Sequence, residues 1–345
     1  MKTRAWVLPV FLPPVVSHSR LIDPPLRAAP ASRAEWRERA LAGAGETLRR
    51  RPGKAQLGFF GASFGAQNAE WRAEALSLAA ALKGRIESLR VTLEPHDVSP
   101  SLLDELWAAK VRTVELDVGA FDDEALSTCD LPWRSGDAAV ALAALQKRGF
   151  ATGVILRPGM PGGTPAEVLR TARRAVELRP AFVRIYPVLV LAGTPLAAAF
   201  ESRLYRPLSL DEAIEFCGEM LRLFGEAGIA VSRIGLQPAV DLDGGATVIA
   251  GPWHPSLRAL AESPLWLERA SKLISAHFRF QKELTLIVAP RDESRVRGPQ
   301  GAIVKRLREK FRLEKLQVRV DAALDEGSLA LEWSDPAEGL KRVAG

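Results

Sequence analysis

Gly58-Phe59-Phe60-Gly61-Ala62-Ser63-Phe64-Gly65 ends a short apolar strand and turns toward a helix. Glycine removes the Cβ that would keep a ligand away from backbone N–H groups. Such a turn is therefore either a plain strand-to-helix connection or a cradle for an anionic group. The octet alone leaves both readings open. Outward from it, apolar strands and capped helices alternate. Strands are expected at 5–12, 56–60, 86–93, 112–118, 152–156, 182–186 and 230–236. Ser32 with Glu35 and Ser209 with Glu212 form capping boxes, as does Thr164 with Glu167, where Pro165 takes the first helical position. Further helices are expected over 68–83, 101–109 and 136–148.

Successive βα units joined by short linkers imply parallel strands and right-handed crossovers. The strands are nearly continuously apolar, as in Phe182-Val183-Arg184-Ile185-Tyr186, which suits strands covered by helices. No dinucleotide fingerprint follows the first strand, so a full or partial barrel fits better than a doubly wound sheet. In a barrel the site lies at the strand C-termini. Gly61, Glu94-Pro95-His96-Asp97, the stretch from Asp117 to Asp123 and the loop from Arg157 to Gly163 all fall there.

The 345 residues suffice for about two domains or one large barrel with an appendage. A net charge of +6 is mild and does not by itself imply nucleic acid. Cys129 and Cys217 are the two cysteines, without ligand spacing, which suits a reduced cytoplasmic protein and excludes a cysteine-ligated cluster built from this chain alone. The apolar run Ala5–Leu12 is broken by Pro9 and ends at Pro13-Pro14, so it reads as a buried strand rather than a signal peptide. No apolar stretch is long enough to span a membrane.

Seven stretches in order carry a resemblance. They are Gly58–Gly65; Ser88-Leu89-Arg90-Val91-Thr92-Leu93-Glu94-Pro95; Thr113–Val118; Val183–Val190 with Gly193-Thr194-Pro195-Leu196; Tyr205-Arg206-Pro207-Leu208-Ser209; Arg233-Ile234-Gly235-Leu236-Gln237-Pro238; and Ala250-Gly251-Pro252-Trp253-His254-Pro255. Together they resemble the radical S-adenosylmethionine (SAM) superfamily, and within it bacterial relatives of the Elongator catalytic subunit that lack the acetyltransferase domain. The resemblance implies an α/β fold: a partial (β/α)6 TIM-like barrel with a small α+β C-terminal module. Domains are then expected at 1–240 (barrel), 241–282 (connecting loop and helices), 283–320 (small basic module) and 321–345 (tail).

The resemblance also implies a Cys-x3-Cys-x2-Cys loop after the first strand, holding a 4Fe-4S cluster. Those positions are Ser17, Leu21 and Pro24 here, none of which can supply a thiolate. A metal cage built from the neighbouring His18 and Asp23 is not expected. Other positions depart as well. The family's Gly-Gly-Ser or Gly-Gly-Glu turn reads Gly61-Ala62-Ser63, its usual basic residue is Glu94, and its Gln-Ser pair is Gly119-Ala120. The implied remnant of a SAM site comprises Gly61, Ala62, Ser63, Glu94, Asp117, Pro158, Gly159, Pro161 and Gly162, with Tyr186 and His254 as further pocket candidates. His96 adjoins Asp97, but neighbours in extended chain point apart, so no catalytic pair is expected there. No catalytic residue and no metal is assigned.

Residues 283–320 hold ten Lys/Arg and five acids. Their pattern is an apolar strand, Gly298-Pro299-Gln300-Gly301, an Ile303/Leu307 helix and a second strand. It resembles a minimal KH-type RNA-binding fold, whose Gly-x-x-Gly loop grips a nucleic-acid backbone at a helix N-terminus. Arg297, Gly298, Gly301, Lys305 and Arg306 are the implied RNA contacts. The expectation is a cytoplasmic, non-radical binding or partner protein acting on RNA or tRNA, without a 4Fe-4S cluster and with SAM binding left open. The alternatives are an enzyme of another class using the barrel mouth, and a subunit of a cluster-bearing paralogue.

Overall fold

The computed structural model describes residues 6–13, 32–61, 63–82, 84–236, 248–278, 281–335 and 339–344. The chain divides into two compact units, 1–216 with 223–255 and 217–222 with 256–345.

The first unit is built on β1 (Trp6–Phe11), α1 (Arg33–Arg50), β2 (Ala55–Phe60), α2 (Ala69–Ala81), β3 (Ile86–Leu93), α3 (Pro100–Ala108), β4 (Val111–Gly119), α4 (Asp123–Thr128), α5 (Ser135–Lys147), β5 (Ala151–Leu156), α6 (Pro165–Glu177) and β6 (Phe182–Ile185). It continues with β7 (Val190–Leu191), α7 (Pro195–Glu201), α8 (Leu210–Glu226), β8 (Ala230–Ile234) and β9 (Val248–Ala250). Seven strands pair in parallel in the order β1-β2-β3-β4-β5-β6-β8. β7 and β9 form a separate antiparallel pair.

The three N-cap residues act as read, and the reciprocal box is formed by Ser209 and Glu212. Ser32 Oγ accepts from Glu35 N at 3.1 Å, and Thr164 Oγ1 accepts from Glu167 N at 3.3 Å. Ser209 and Glu212 cap each other reciprocally at 3.2 and 2.7 Å. Outward-facing strand residues such as Leu57, Val91, Leu116 and Val183 are fully buried, as helices over the sheet require.

Side chains across the concave face show that the sheet curls into a half-barrel. The Arg184 guanidinium on β6 lies 5.2 Å from the Phe60 ring on β2, and that of Arg90 on β3 lies 4.8 Å from the Phe182 ring on β6. In a flat sheet with strands about 4.8 Å apart, those pairs would be separated by roughly 19 and 14 Å of sheet. The fold is thus a partial TIM-like barrel of seven parallel strands, one at each of the seven positions expected from the sequence.

The second unit contains α9 (Leu257–His277), β10 (Glu283–Val288), α10 (Glu293–Arg297), α11 (Ala302–Phe311), β11 (Lys315–Val320), β12 (Leu329–Asp335) and β13 (Gly339–Ala344). Its sheet runs β11-β10-β12-β13, with β10 and β11 parallel. The core is mainly aliphatic, from Ala270 and Ile274 of α9 through Leu286, Val296, Ile303 and Leu307 to Leu331, with Trp266 among its buried members. The segment expected as a tail therefore contributes two strands. β12 pairs antiparallel with β10, covering an edge that would otherwise stay open.

Candidate barrel-mouth site and nucleic-acid interface

Buried ion pairs fill the concave face of the half-barrel. Glu115 on β4 is fully buried and accepts from Arg90 Nη1 at 2.9 Å and from Arg184 Nη1 at 2.7 Å. Gly153 stands opposite Glu115 on β5. A Cβ there would lie 2.4 Å from the Phe182 ring and 3.2 Å from Glu115 Cγ, so only glycine leaves room for the network. Tyr186 sits beside the guanidinium groups of Arg184 and Arg233, at 5.7 and 5.8 Å. One turn of pleat nearer the mouth, Asp117 takes two bonds from Arg157, at 3.2 and 2.6 Å. Sequence reading singled out Asp117 and Tyr186 but missed Arg90, Glu115, Arg184 and Arg233. The available signal was a charge inside each of four strands, the only one in β6 and in β8 and beside other charges in β3 and β4.

At the mouth, the glycine turn and the end of β3 come together through Asp97. Ser63 Oγ donates to Asp97 Oδ2, and the Glu94 N–H donates to the same oxygen at 3.2 Å. A Cβ on Gly65 would lie 2.4 Å from Asp97 Cβ, so this glycine makes room for the carboxylate. The turn is thus filled from within, and the Ser63 hydroxyl is taken by the protein's own acid. Gly61 adopts φ +91°. Ala62 lies outside the described residues, as do Ser17, Leu21 and Pro24.

The expectation that His96 and Asp97 point apart fails. Pro95–Asp97 is a 3-10 turn rather than extended chain, and it brings His96 Nε2 to 3.4 Å from Asp97 Oδ1. The His96 ring also stacks on Trp133, with centroids 5.7 Å apart and planes 4° apart.

The loop after β5 is packed rather than open. The Pro158 carbonyl accepts from Val188 N at 3.0 Å and that of Gly159 from the Tyr205 hydroxyl at 2.6 Å. A Cβ on Gly159 would meet Leu208 at 2.9 Å, and one on Gly162 would meet Thr128 Oγ1 at 2.4 Å. Pro161 is buried. His254 lies in the loop after Gly251 and is partly exposed.

A 4Fe-4S cluster open to SAM needs three thiolates. The chain has two cysteines in all, both buried. Burial pushes the thiols of Cys129 and Cys217 up to about 12, so both stay protonated at neutral pH. This donor set does not fit the cluster.

In the second unit, five of the ten cations in 283–320 are tied to acids. Arg291, Arg295, Arg297, Lys315 and Arg319 pair with Glu326, Asp292, Glu293, Glu283 and Glu332. Arg297 also donates to the Val318 carbonyl at 3.1 Å and so braces the module internally. The other five, Lys305, Arg306, Arg308, Lys310 and Arg312, are all exposed and have no acid partner among the described residues. They concentrate on α11 and its end. Arg306 and Lys310 line a shallow groove of about 550 Å³ against Leu267, Ser271 and Lys272 of α9.

The Gly298-Pro299-Gln300-Gly301 loop leads into α11 with φ of 70°, 52° and 76° at Gly298, Gln300 and Gly301. A Cβ on Gly298 would lie 2.7 Å from Ile303 Cγ1, whereas nothing lies within 4 Å of one on Gly301. No side chain caps the first turn of α11.

A family model described as the radical SAM C-terminal domain matches residues 180–266. The tRNA uridine(34) acetyltransferase of Methanocaldococcus infernus is 27% identical over 145 residues, which are 41% of this chain and 27% of that protein. The enzyme of the same name from Methanocaldococcus jannaschii is 27% identical over 134 residues, 38% of this chain and 25% of that protein. The solved structure of archaeal M. infernus Elp3 lacking its N-terminus superposes with a TM-score of 0.61 at 21% identity, over 78% of this chain and 64% of that one. The half-barrel thus has the fold of the radical SAM core, and over part of its length the chain is similar in sequence to the Elongator-like proteins named above. It spans about a quarter of the length of the curated relatives it matches.

No helix among the described residues is long and apolar enough to cross a membrane.

Proposed function

We propose that this chain is a cytoplasmic, non-radical member of the Elongator-like group that binds tRNA through its second unit. The observation that carries the reading is the set of five exposed cations on α11 and its end that have no acid partner among the described residues, beside a glycine loop with open space at Gly301. Phosphate contacts of this kind supply sequence-independent affinity. The likeness to proteins named for tRNA supports tRNA as the class of nucleic acid. The loop and helix N-terminus would hold the backbone in the manner of a KH-type module.

The misfit of two buried, protonated thiols to a three-thiolate cluster supports a barrel that does no radical chemistry. SAM has no seat at the Gly61 turn in this reading, because Asp97 occupies the Ser63 hydroxyl.

The test is the salt dependence of tRNA affinity by fluorescence anisotropy. Losing two phosphate contacts in Lys305→Ala/Arg306→Ala should flatten the slope of log K against log salt by about 1.4, at about 0.7 per contact. An unchanged slope contradicts the interface. Arg297→Ala should leave the slope largely intact, since that side chain is already committed to Glu293 and Val318.

A further inference from the structure

We propose that the groove between α9 and α11 seats the sugar-phosphate backbone of one unpaired RNA strand and reads none of its bases. The proposal rests on the tRNA reading above and names where, and by which chemical groups, the strand is held.

Helical periodicity sorts the cations of α11 into two stripes. Lys305 and Arg308 share one, while Arg306 and Lys310, four residues apart, share the other and line the groove against α9. Four residues of helix rise about 6 Å, comparable with the spacing of successive phosphates along an extended strand. Both groove cations are exposed and have no acid partner among the described residues. On the facing wall Ser271 and Ser275 of α9 repeat the four-residue spacing. Glu268 lines the groove too, but Lys272 Nζ lies 2.6 Å from its Oε1, so that pair is neutral and the charge left is that of Arg306 and Lys310. At about 550 Å³ the groove has the size of a small-ligand site, so it admits one strand and not a duplex.

Ser271 supplies an independent pointer to a ligand. It is 7% exposed, yet its hydroxyl makes no hydrogen bond among the described residues. A serine inside a helix can return its hydroxyl to the carbonyl four residues back. Ser263 of the same helix does so, donating to the Ala259 carbonyl at 2.7 Å. A buried hydroxyl left without a partner is costly, and this one lines the groove. Cations on one wall and hydroxyls on the other are the donors that phosphate oxygens take. Pro264 and Leu267 add apolar surface for the sugars. No aromatic ring lines the groove among the described residues, so bases find no platform to stack on. The Pro299–Gly301 turn also packs against α9, so the glycine loop and the groove share one wall.

The full chain is titrated against labelled oligouridine and oligocytidine of equal length, followed by fluorescence anisotropy over a range of salt. The two strands should bind within about threefold of each other, since only the backbone is held. Lys310→Ala should flatten the salt slope by about 0.7. Ser271→Ala should lower the affinity about 10-fold with the slope unchanged, because a hydroxyl gives a hydrogen bond without displacing a counterion. That variant loses no bond of the folded chain, so it should fold. Cys129 and Cys217 are both buried, so Ser275→Cys adds a selectively accessible thiol. A maleimide on it should abolish binding, while the unlabelled variant binds as the wild type does. If Lys305→Ala/Arg306→Ala flattens the slope while Lys310→Ala, Ser271→Ala and the labelled thiol leave binding at the wild-type level, the tRNA reading stands and the groove falls. If none of these changes alters binding, the tRNA reading falls as well. Tighter binding of duplex RNA, or of an acidic peptide of equal charge, would also overturn the proposal.

Discussion

Removing the Glu115 carboxylate would take away the counter-charge that Arg90 and Arg184 share on the concave face of the sheet. Breaking a buried pair by deleting one partner costs about 3–5 kcal/mol. Glu115→Ala should therefore lose about that much in urea denaturation, and a loss under about 1 kcal/mol would contradict the buried network. The thiols give a second prediction at this scale. Burial raises Cys129 and Cys217 from 9.0 to about 12 in the folded chain. A raised folded pKa means stability that is fully present below the unfolded value and lost as pH climbs toward the folded one. Between about pH 9 and 12 the wild type should lose up to about 1.4 kcal/mol per pH unit for each thiol, relative to Cys129→Ala/Cys217→Ala. Parallel pH profiles of the two proteins would contradict this.

At the scale of elements, the glycine loop before α11 separates two demands on one residue type. Gly298 and Gly301 both have positive φ, but only Gly298 is pressed by Ile303. Gly301→Ala should cost about 1–2 kcal/mol for the left-handed backbone alone. Gly298→Ala should cost clearly more, because the added methyl must displace a buried side chain. Equal costs would contradict the packing. The same element shows what sequence reading could and could not reach. The pattern of Gly298, Gly301, Ile303 and Leu307 was legible, since it is local. That Arg297 braces Val318 while Lys305 and Arg306 have no acid partner among the described residues was not, because pairing depends on strands brought together from elsewhere. β12 and β13 were missed for a related reason. Their apolar residues, such as Leu329 and Leu331, face the module core only once β10 lies beside them. The short helices α4 and α7 lie where no helix was expected, because they are too brief to show a period.

For the whole molecule, the alternation of apolar strands and capped helices sufficed to predict a partial barrel, because each βα unit announces itself in its own residues. The interior of that barrel was hidden, since Arg90, Glu115 and Arg184 lie on three strands and meet only when the sheet curls. The mouth was misread at one point, where Pro95 sets a 3-10 turn and folds His96 back onto Asp97. The frame of a radical SAM core survives here, while the donors for its cluster do not fit. The direct test is anaerobic reconstitution of the full chain with iron and sulfide, followed by a reductant and SAM. The account predicts no stoichiometric labile sulfide and no 5′-deoxyadenosine; a stoichiometric cluster that cleaves SAM would contradict it.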